Sequence, residues 1–207
     1  MGLFNRNSKK TSESINTFLE QYKPDEKLKK PDGKILEFSK KTLPKEIIKL
    51  WIDYGFGNYG NGMIKIVDPR DYMSSLYKWI GKEDFNKIPI VITAFGDIFF
   101  YDRTNSTISF LDIHYRQIDV CTKYQMFFDK FLVDEKIRLS ILRENLFDEA
   151  LKKLGKLADN EIYMFVPALI IGGTETTENM KKGDASTHQH LLFDLGTGKI
   201  NIEVADK

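Results

Sequence analysis

Only one cysteine, Cys121, stands in 207 residues, so no disulfide can form within the chain and no cysteine cluster can hold zinc. Histidines are nearly as scarce, three in all, which leaves few routes to a hydrolytic triad or a metal centre. No run approaches the roughly 18–20 apolar residues that span a bilayer. The opening MGLFNRNSKK has no apolar core of the kind a secretory signal needs, and Arg6 stands where a myristoylation pattern wants Ser or Thr. A cytoplasmic protein in a reducing compartment is the expectation. A surplus of one charge is missing too: 31 Lys+Arg against 30 Asp+Glu leave +1, which argues against a strongly basic nucleic-acid binder. With 42% hydrophobic and 29% charged residues, the chain has the composition of a folded domain and not of a disordered one.

What is present is unevenly spread. Residues 1–50 hold 12 Lys/Arg against 7 Asp/Glu, 51–125 hold 8 against 9, and 126–207 hold 11 against 14. The basic surplus is N-terminal and the acidic surplus C-terminal. Residues 1–13 read as a flexible polar tail. Ile15, Phe18, Leu19 and Tyr22 then recur at helical spacing until Pro24. Lys23 to Lys34, with Pro31-Asp32-Gly33, reads as a solvated loop. Thr42 is placed to cap a helix with Pro44 in its first turn, an apolar stripe of Ile47, Ile48, Trp51 and Ile52, and Gly55 as its stop.

Gly55, Gly57, Gly60 and Gly62 demand tight turns with positive φ. They follow a helix and open a strand, the reverse of a dinucleotide fingerprint, and no Gly-Lys-Ser/Thr occurs. A strand over 63–67 and a helix over 72–80, opened by Asp68-Pro69, come next. Segments 88–95, 98–101 and 108–113 read as antiparallel strands turning at Gly96-Asp97 and at 102–106, with Asp97, Asp102 and Asp112 near strand ends or on the rim. Helical periodicity marks 126–132 and 137–157, where Gly155 offers a stop. A strand follows over 162–171, broken by Pro167, and then a last strand or short helix over 188–195. The fold class expected is α+β: a mainly antiparallel central sheet with helices packed at its face and ends, in two abutting halves that form one compact unit.

Chemistry-bearing patterns are few. No Gly-x-Ser-x-Gly elbow presents a nucleophile, and Cys121 reads as a buried small hydrophobe. His188 and His190, two apart, would share one face of a strand, where His114 or Asp184 could complete a metal site. That spacing is the basis of an alternative reading as a metal-dependent enzyme. A second alternative is a nucleic-acid-binding module built on the lysines of 23–34. The paired carboxylates match no nuclease or glycosidase pattern, and Tyr59 on the glycine-rich loop could anchor an interface.

Leu43-Pro44 with Trp51, then Tyr54-Gly55-Phe56-Gly57-x-Tyr59-x-x-Gly62, Asp68-Pro69-x-Asp71-Tyr72 and Ala94-Phe95-Gly96-Asp97 together resemble the GAD-like domain of bacterial proteins, assigned to 14–125. Leu146-Phe147-x-x-Ala150, Leu154-Gly155-x-Leu157, Asp159-x-Glu161-x-Tyr163-x-Phe165-x-Pro167-Ala168-Leu169, Gly172-Gly173 and His190 resemble the C-terminal domain of the type VI secretion DNase-immunity family, assigned to 126–207. The Leu-Pro helix and the Phe-Gly-Asp hairpin are more distantly similar to the SUKH immunity superfamily, which has an α+β fold. The resemblance implies a non-enzymatic protein that binds and neutralises a cognate bacterial toxin, a nuclease. It implies no cofactor, no direct contact with nucleic acid and no membrane. An acidic face steers association with a basic nuclease cleft, so the expected partner contacts are Asp97, Asp102 and Asp112 on the hairpin, Tyr59, and Glu175 and Glu178. The lysine-rich N-terminal third is expected to stay outside that interface.

Overall fold

Six strands follow one another antiparallel in sequence order, β1 (Gly57–Tyr59), β2 (Ile64–Ile66), β3 (Lys87–Thr93), β4 (Ile98–Asp102), β5 (Thr107–Asp112) and β6 (Gln117–Lys123). The computed structural model describes residues 15–196 and the backbone of a last strand, Asn201–Glu203, which lies parallel to β6. The tail expected over 1–13 lies outside the described residues. Side chains alternate between two apolar clusters along β4: Phe99 and Tyr101 join one, Ile98 and Phe100 the other. Both faces of the sheet are therefore covered, which explains why β3 and β4 read as nearly continuous apolar runs.

One face is packed by α1 (15–21), α2 (Gly33–Thr42) and α3 (Lys45–Asp53). The lysine-rich segment ahead of α2 is more than a wet loop. Pro24 and Lys29 bridge to Tyr59 and Phe56, so it closes the outer edge of β1. Asp32 then opens α2 by accepting from the Ile35 N–H at 2.9 Å. Thr42 donates back to the Phe38 carbonyl at 2.9 Å, so it ends α2 and does not cap α3, which begins behind Pro44 without a side-chain cap. Trp51 is fully buried and Ile52 is 48% exposed, so the stripe of α3 runs through Ile47, Ile48, Leu50 and Trp51. All four glycines of the 55–62 cluster hold positive φ.

The opposite face is packed by α4 (Pro69–Ile80), capped by Asp68, and by α8 (Ala185–Leu195), the segment that could have been either strand or helix. Between them in sequence, α5 (Tyr124–Met126) runs into a wide helical turn over Phe127–Phe131, followed by α6 (Glu135–Ser140) and α7 (Glu144–Leu154). The helix expected over 137–157 is thus two helices, interrupted at Arg143, whose backbone is left-handed at φ 50°. The strand expected over 162–171 stops earlier: β7 (Glu161–Phe165) pairs with β8 (Met180–Asp184) in a separate two-stranded sheet. The C-terminal half therefore straddles the main sheet, with α7 on one face and α8 on the other.

Candidate functional site

The C-terminal half grips the main sheet at one turn, Ala94–Asp97, which joins β3 to β4. Within the turn, the Thr93 hydroxyl accepts from the N–H groups of Phe95 and Asp97, each at 3.2 Å. Gly96 sits at φ +94°, and a Cβ there would lie 2.7 Å from Ile162 Cδ1 and 3.1 Å from Ile113 Cδ1, so both conformation and space call for glycine. Three groups of the C-terminal half fasten the turn. The Tyr163 N–H donates to Ala94 O at 2.8 Å, Gln189 Nε2 to Gly96 O at 2.8 Å, and Arg143 Nη1 to Asp97 Oδ2 at 2.9 Å.

Arg143 is the centre of a charge cluster. Its guanidinium, buried to 8% exposure, also reaches Asp112 at 3.3 Å and Glu175 at 3.2 Å, and lies 5.7 Å from the Phe95 ring centroid. Asp97 is fully buried and takes the Ile113 N–H on its other oxygen at 3.1 Å. Asp112 accepts from the His114 and Tyr115 N–H groups at 2.8 and 2.9 Å. Glu175, on the loop after β7, also accepts from the Tyr115 hydroxyl at 3.2 Å. Burial alone would lower the Arg143 pKa, but Asp97, Asp112 and Glu175 together raise it. Burial raises the pKa of Asp97 against the pull of Arg143, and that of Asp112 with the help of Asp97. His114, whose Nε2 lies 3.0 Å from Phe95 O, is pushed down to about 4 by burial and then by Arg143. The guanidinium thus stays charged among carboxylates that are short of cations.

Beside this cluster a cleft of about 290 Å³ opens to solvent, lined by Phe110, Tyr115, Asp119, Ile141, Arg143 and Glu175 among others. A second cleft of similar size lies where β2, α4 and the start of α8 meet, and is lined by Asp68, Asp71, Asp159 and Asp184 together with Lys29 and Lys65. Lys65 is 1% exposed, its amine bound to Asn58 Oδ1 and, at 3.1 Å, to Ala158 O. Burial pushes its pKa down to about 8.

Three of the six sequence-derived contact residues, Asp97, Asp112 and Glu175, converge on Arg143, an arginine that the sequence reading left aside. Nothing in the apolar spacing of 137–157 marks the break that presents it. Asp97 is internal and has no surface to offer a partner. Asp102 is 6% exposed at the far end of β4, where Lys87 neutralises it at 2.7 Å. Tyr59 is not the exposed anchor expected: it is fully buried and donates to Gly55 O at 2.9 Å. Glu178 is exposed, 3.9 Å from Lys153. His188 and His190 lie on a helix and not on a strand, so two residues turn them apart. His188 is buried 6.4 Å, centroid to centroid, from His114, while His190 lies beside Ser74 and Ser75 of α4. Among the described residues no group of three or more His, Cys, Asp or Glu side chains could hold a metal ion, and no helix is long and apolar enough to cross a membrane.

In a comparison with solved structures, the crystal structure of Atu4351 from Agrobacterium tumefaciens superposes with a TM-score of 0.70 at 17% identity, over 88% of this chain and 89% of that one. The two share a fold. No curated protein matches. Residues 13–114 match the GAD-like domain family, and residues 122–196 match the family described as T6SS immunity protein Tdi1, C-terminal. The match at 122–196 supports an immunity-type protein, and the fold carries it in two parts. The chain thus carries a segment that matches a GAD-like domain and, behind it, one that matches the C-terminal domain of T6SS immunity protein Tdi1.

Proposed function

We propose that this protein acts in the bacterial cytoplasm as a stoichiometric, non-catalytic inhibitor of a cognate nuclease toxin. The observation that carries the reading is the match of 122–196 to an immunity domain, on a segment that brings Glu175 to the carboxylates of the sheet around one buried arginine. Nucleases that bind a polyanion present basic clefts, and a carboxylate-rich surface complements them and speeds encounter. Asp112 and Glu175, at the junction of the two parts, and Glu178 nearby are the sequence-derived contacts that keep this role. Asp97, Asp102 and Tyr59 serve the fold. The division between parts falls between β6 and α5, near residue 125.

The test is co-expression with the candidate toxin, a secreted protein with a nuclease-like domain encoded beside this gene. The expected outcome is restored growth, intact chromosomal DNA and a complex that co-purifies at fixed stoichiometry. Toxicity that persists despite soluble expression of both proteins overturns the reading.

A further inference from the structure

We infer that the cleft beside Arg143 is the receptor for a lysine or arginine side chain of the toxin, with Tyr115 as its aromatic wall. The inference rests on the immunity reading for the identity of the partner and on the cleft for the chemistry.

The charge balance comes first. Asp97, Asp112 and Glu175 surround one guanidinium, Asp119 lines the same cleft, and His114, held to a pKa of about 4, adds no compensating charge at neutral pH. Among the described residues, the Asp119 side chain accepts from a neutral neighbour, Gln117 Nε2 at 3.1 Å. Of the two acidic clefts, this one has, among the described residues, one cation already engaged by three carboxylates, whereas the other holds two lysines, Lys29 and Lys65. A cation arriving here relieves repulsion among carboxylates. At the other cleft it meets resident ammonium groups.

The shape selects the kind of cation. Phe110 and Ile141 make part of the wall apolar, and Tyr115 stands at the rim 59% exposed, with its hydroxyl tied to Glu175. An apolar wall is of no use to a small metal ion. It suits the methylene stem of a long basic side chain whose charged head reaches carboxylates beyond it, while the Tyr115 ring offers a cation–π face. The volume of about 290 Å³ holds one side chain and not a helix. An aromatic fixed beside a concave pocket at a protein surface has the properties of an interface hot spot.

Two measurements separate this inference from the function it rests on. A hexa-arginine peptide is titrated at low salt into the full chain and followed by amide chemical shifts. Shifts centred on Tyr115, Asp119 and Glu175, lost in Asp119→Lys but kept in Asp159→Lys at the other cleft, are expected. Shifts that centre elsewhere, or that survive Asp119→Lys, overturn the cleft whatever the protein inhibits. Affinity for the toxin itself is then measured by calorimetry, with circular dichroism confirming the fold of each variant. Asp119→Lys is expected to weaken binding at least 100-fold and Tyr115→Ala about 10-fold, and exchange of a toxin arginine for aspartate should restore the Asp119→Lys pair. Toxin binding within threefold of the parent in both variants overturns the inference and leaves the immunity function standing. If the parent chain binds the peptide at the cleft but no toxin, the function is overturned and the cation receptor stands.

Discussion

Strand β4 carries an aspartate at each end, and the two could hardly be treated more differently. Asp97 lies in the turn that precedes the strand, without solvent exposure and held by Arg143 from the C-terminal half. Asp102 closes the strand at the other end, where it orders its own turn through the Thr104 N–H at 2.9 Å and pairs with Lys87 of the adjacent strand. One turn is a joint between two parts of the molecule, the other a local hairpin. In sequence both are an acidic residue beside a short polar or glycine-containing turn. The difference teaches that the role of a hairpin acid is set by what packs over that end of the sheet.

The sharpest way to break the joint is to fill it. Gly96→Val forces a β-branched residue to φ +94° and drives its Cβ into Ile162, and the strain and overpacking together should cost about 3–5 kcal/mol, read as a fall in the urea midpoint. Asp97→Ala leaves Arg143 buried with two carboxylates in place of three and strips the Ile113 N–H of its acceptor. About 3 kcal/mol is expected by the same measurement.

Acid should loosen the joint before the hairpin. His114 and His188 are both pushed down to about 4, by burial first and then by Arg143 and by His114 respectively. Each binds fewer protons folded than unfolded, so its contribution to stability is complete above about pH 6.5 and is lost as pH falls toward 4. Asp97 and Asp112, raised by burial, bind more protons folded than unfolded and act in the opposite sense from their raised values down to the free carboxylate range, so the histidine loss is read as the difference between parent and variant profiles. Each histidine should contribute about 1–2 kcal/mol to it, and His188→Gln should flatten the profile of unfolding free energy against pH. The smallest effect belongs to the other end of β4. Asp102→Ala, losing one partly exposed pair and a turn bond, should cost about 1 kcal/mol and leave the pH profile unchanged above about pH 5, since the Asp102 pKa is lowered and its contribution is lost only in stronger acid. An Asp97→Ala loss no larger than that of Asp102→Ala would refute the contrast.

Helices α1, α3 and α4 and the β3–β5 meander were legible because their apolar spacing is regular and their stops are Gly, Pro and Asp. Strand β6 was missed although Ile118 and Val120 alternate with Asp119 and Cys121. Ile118 is its only buried residue and Val120 is exposed, so the pattern is thin. Helix α2 is left unassigned beyond the loop read over 23–34, because Asp32 reads equally well as a turn residue or a cap. Three carboxylates of the charge cluster were picked out by type, but their partner was not. Arg143 owes its place to a left-handed residue inside what spacing alone makes one helix. The histidine pair failed as a site because its geometry hung on strand or helix, and α8 took the helical option.

The lone thiol also has a practical consequence. Cys121 sits half-buried in β6, the strand next to the C-terminal β9 (Asn201–Glu203), and burial followed by the charge of Asp119 pushes its pKa up to about 12. At pH 8 roughly one part in ten thousand of it is thiolate, so a maleimide or disulfide reagent finds almost nothing to attack until the strand detaches. The labelling rate of the folded chain is therefore a clock for the opening of that edge, carried by the native sequence without an introduced probe. Toxin bound nearby would be expected to slow it.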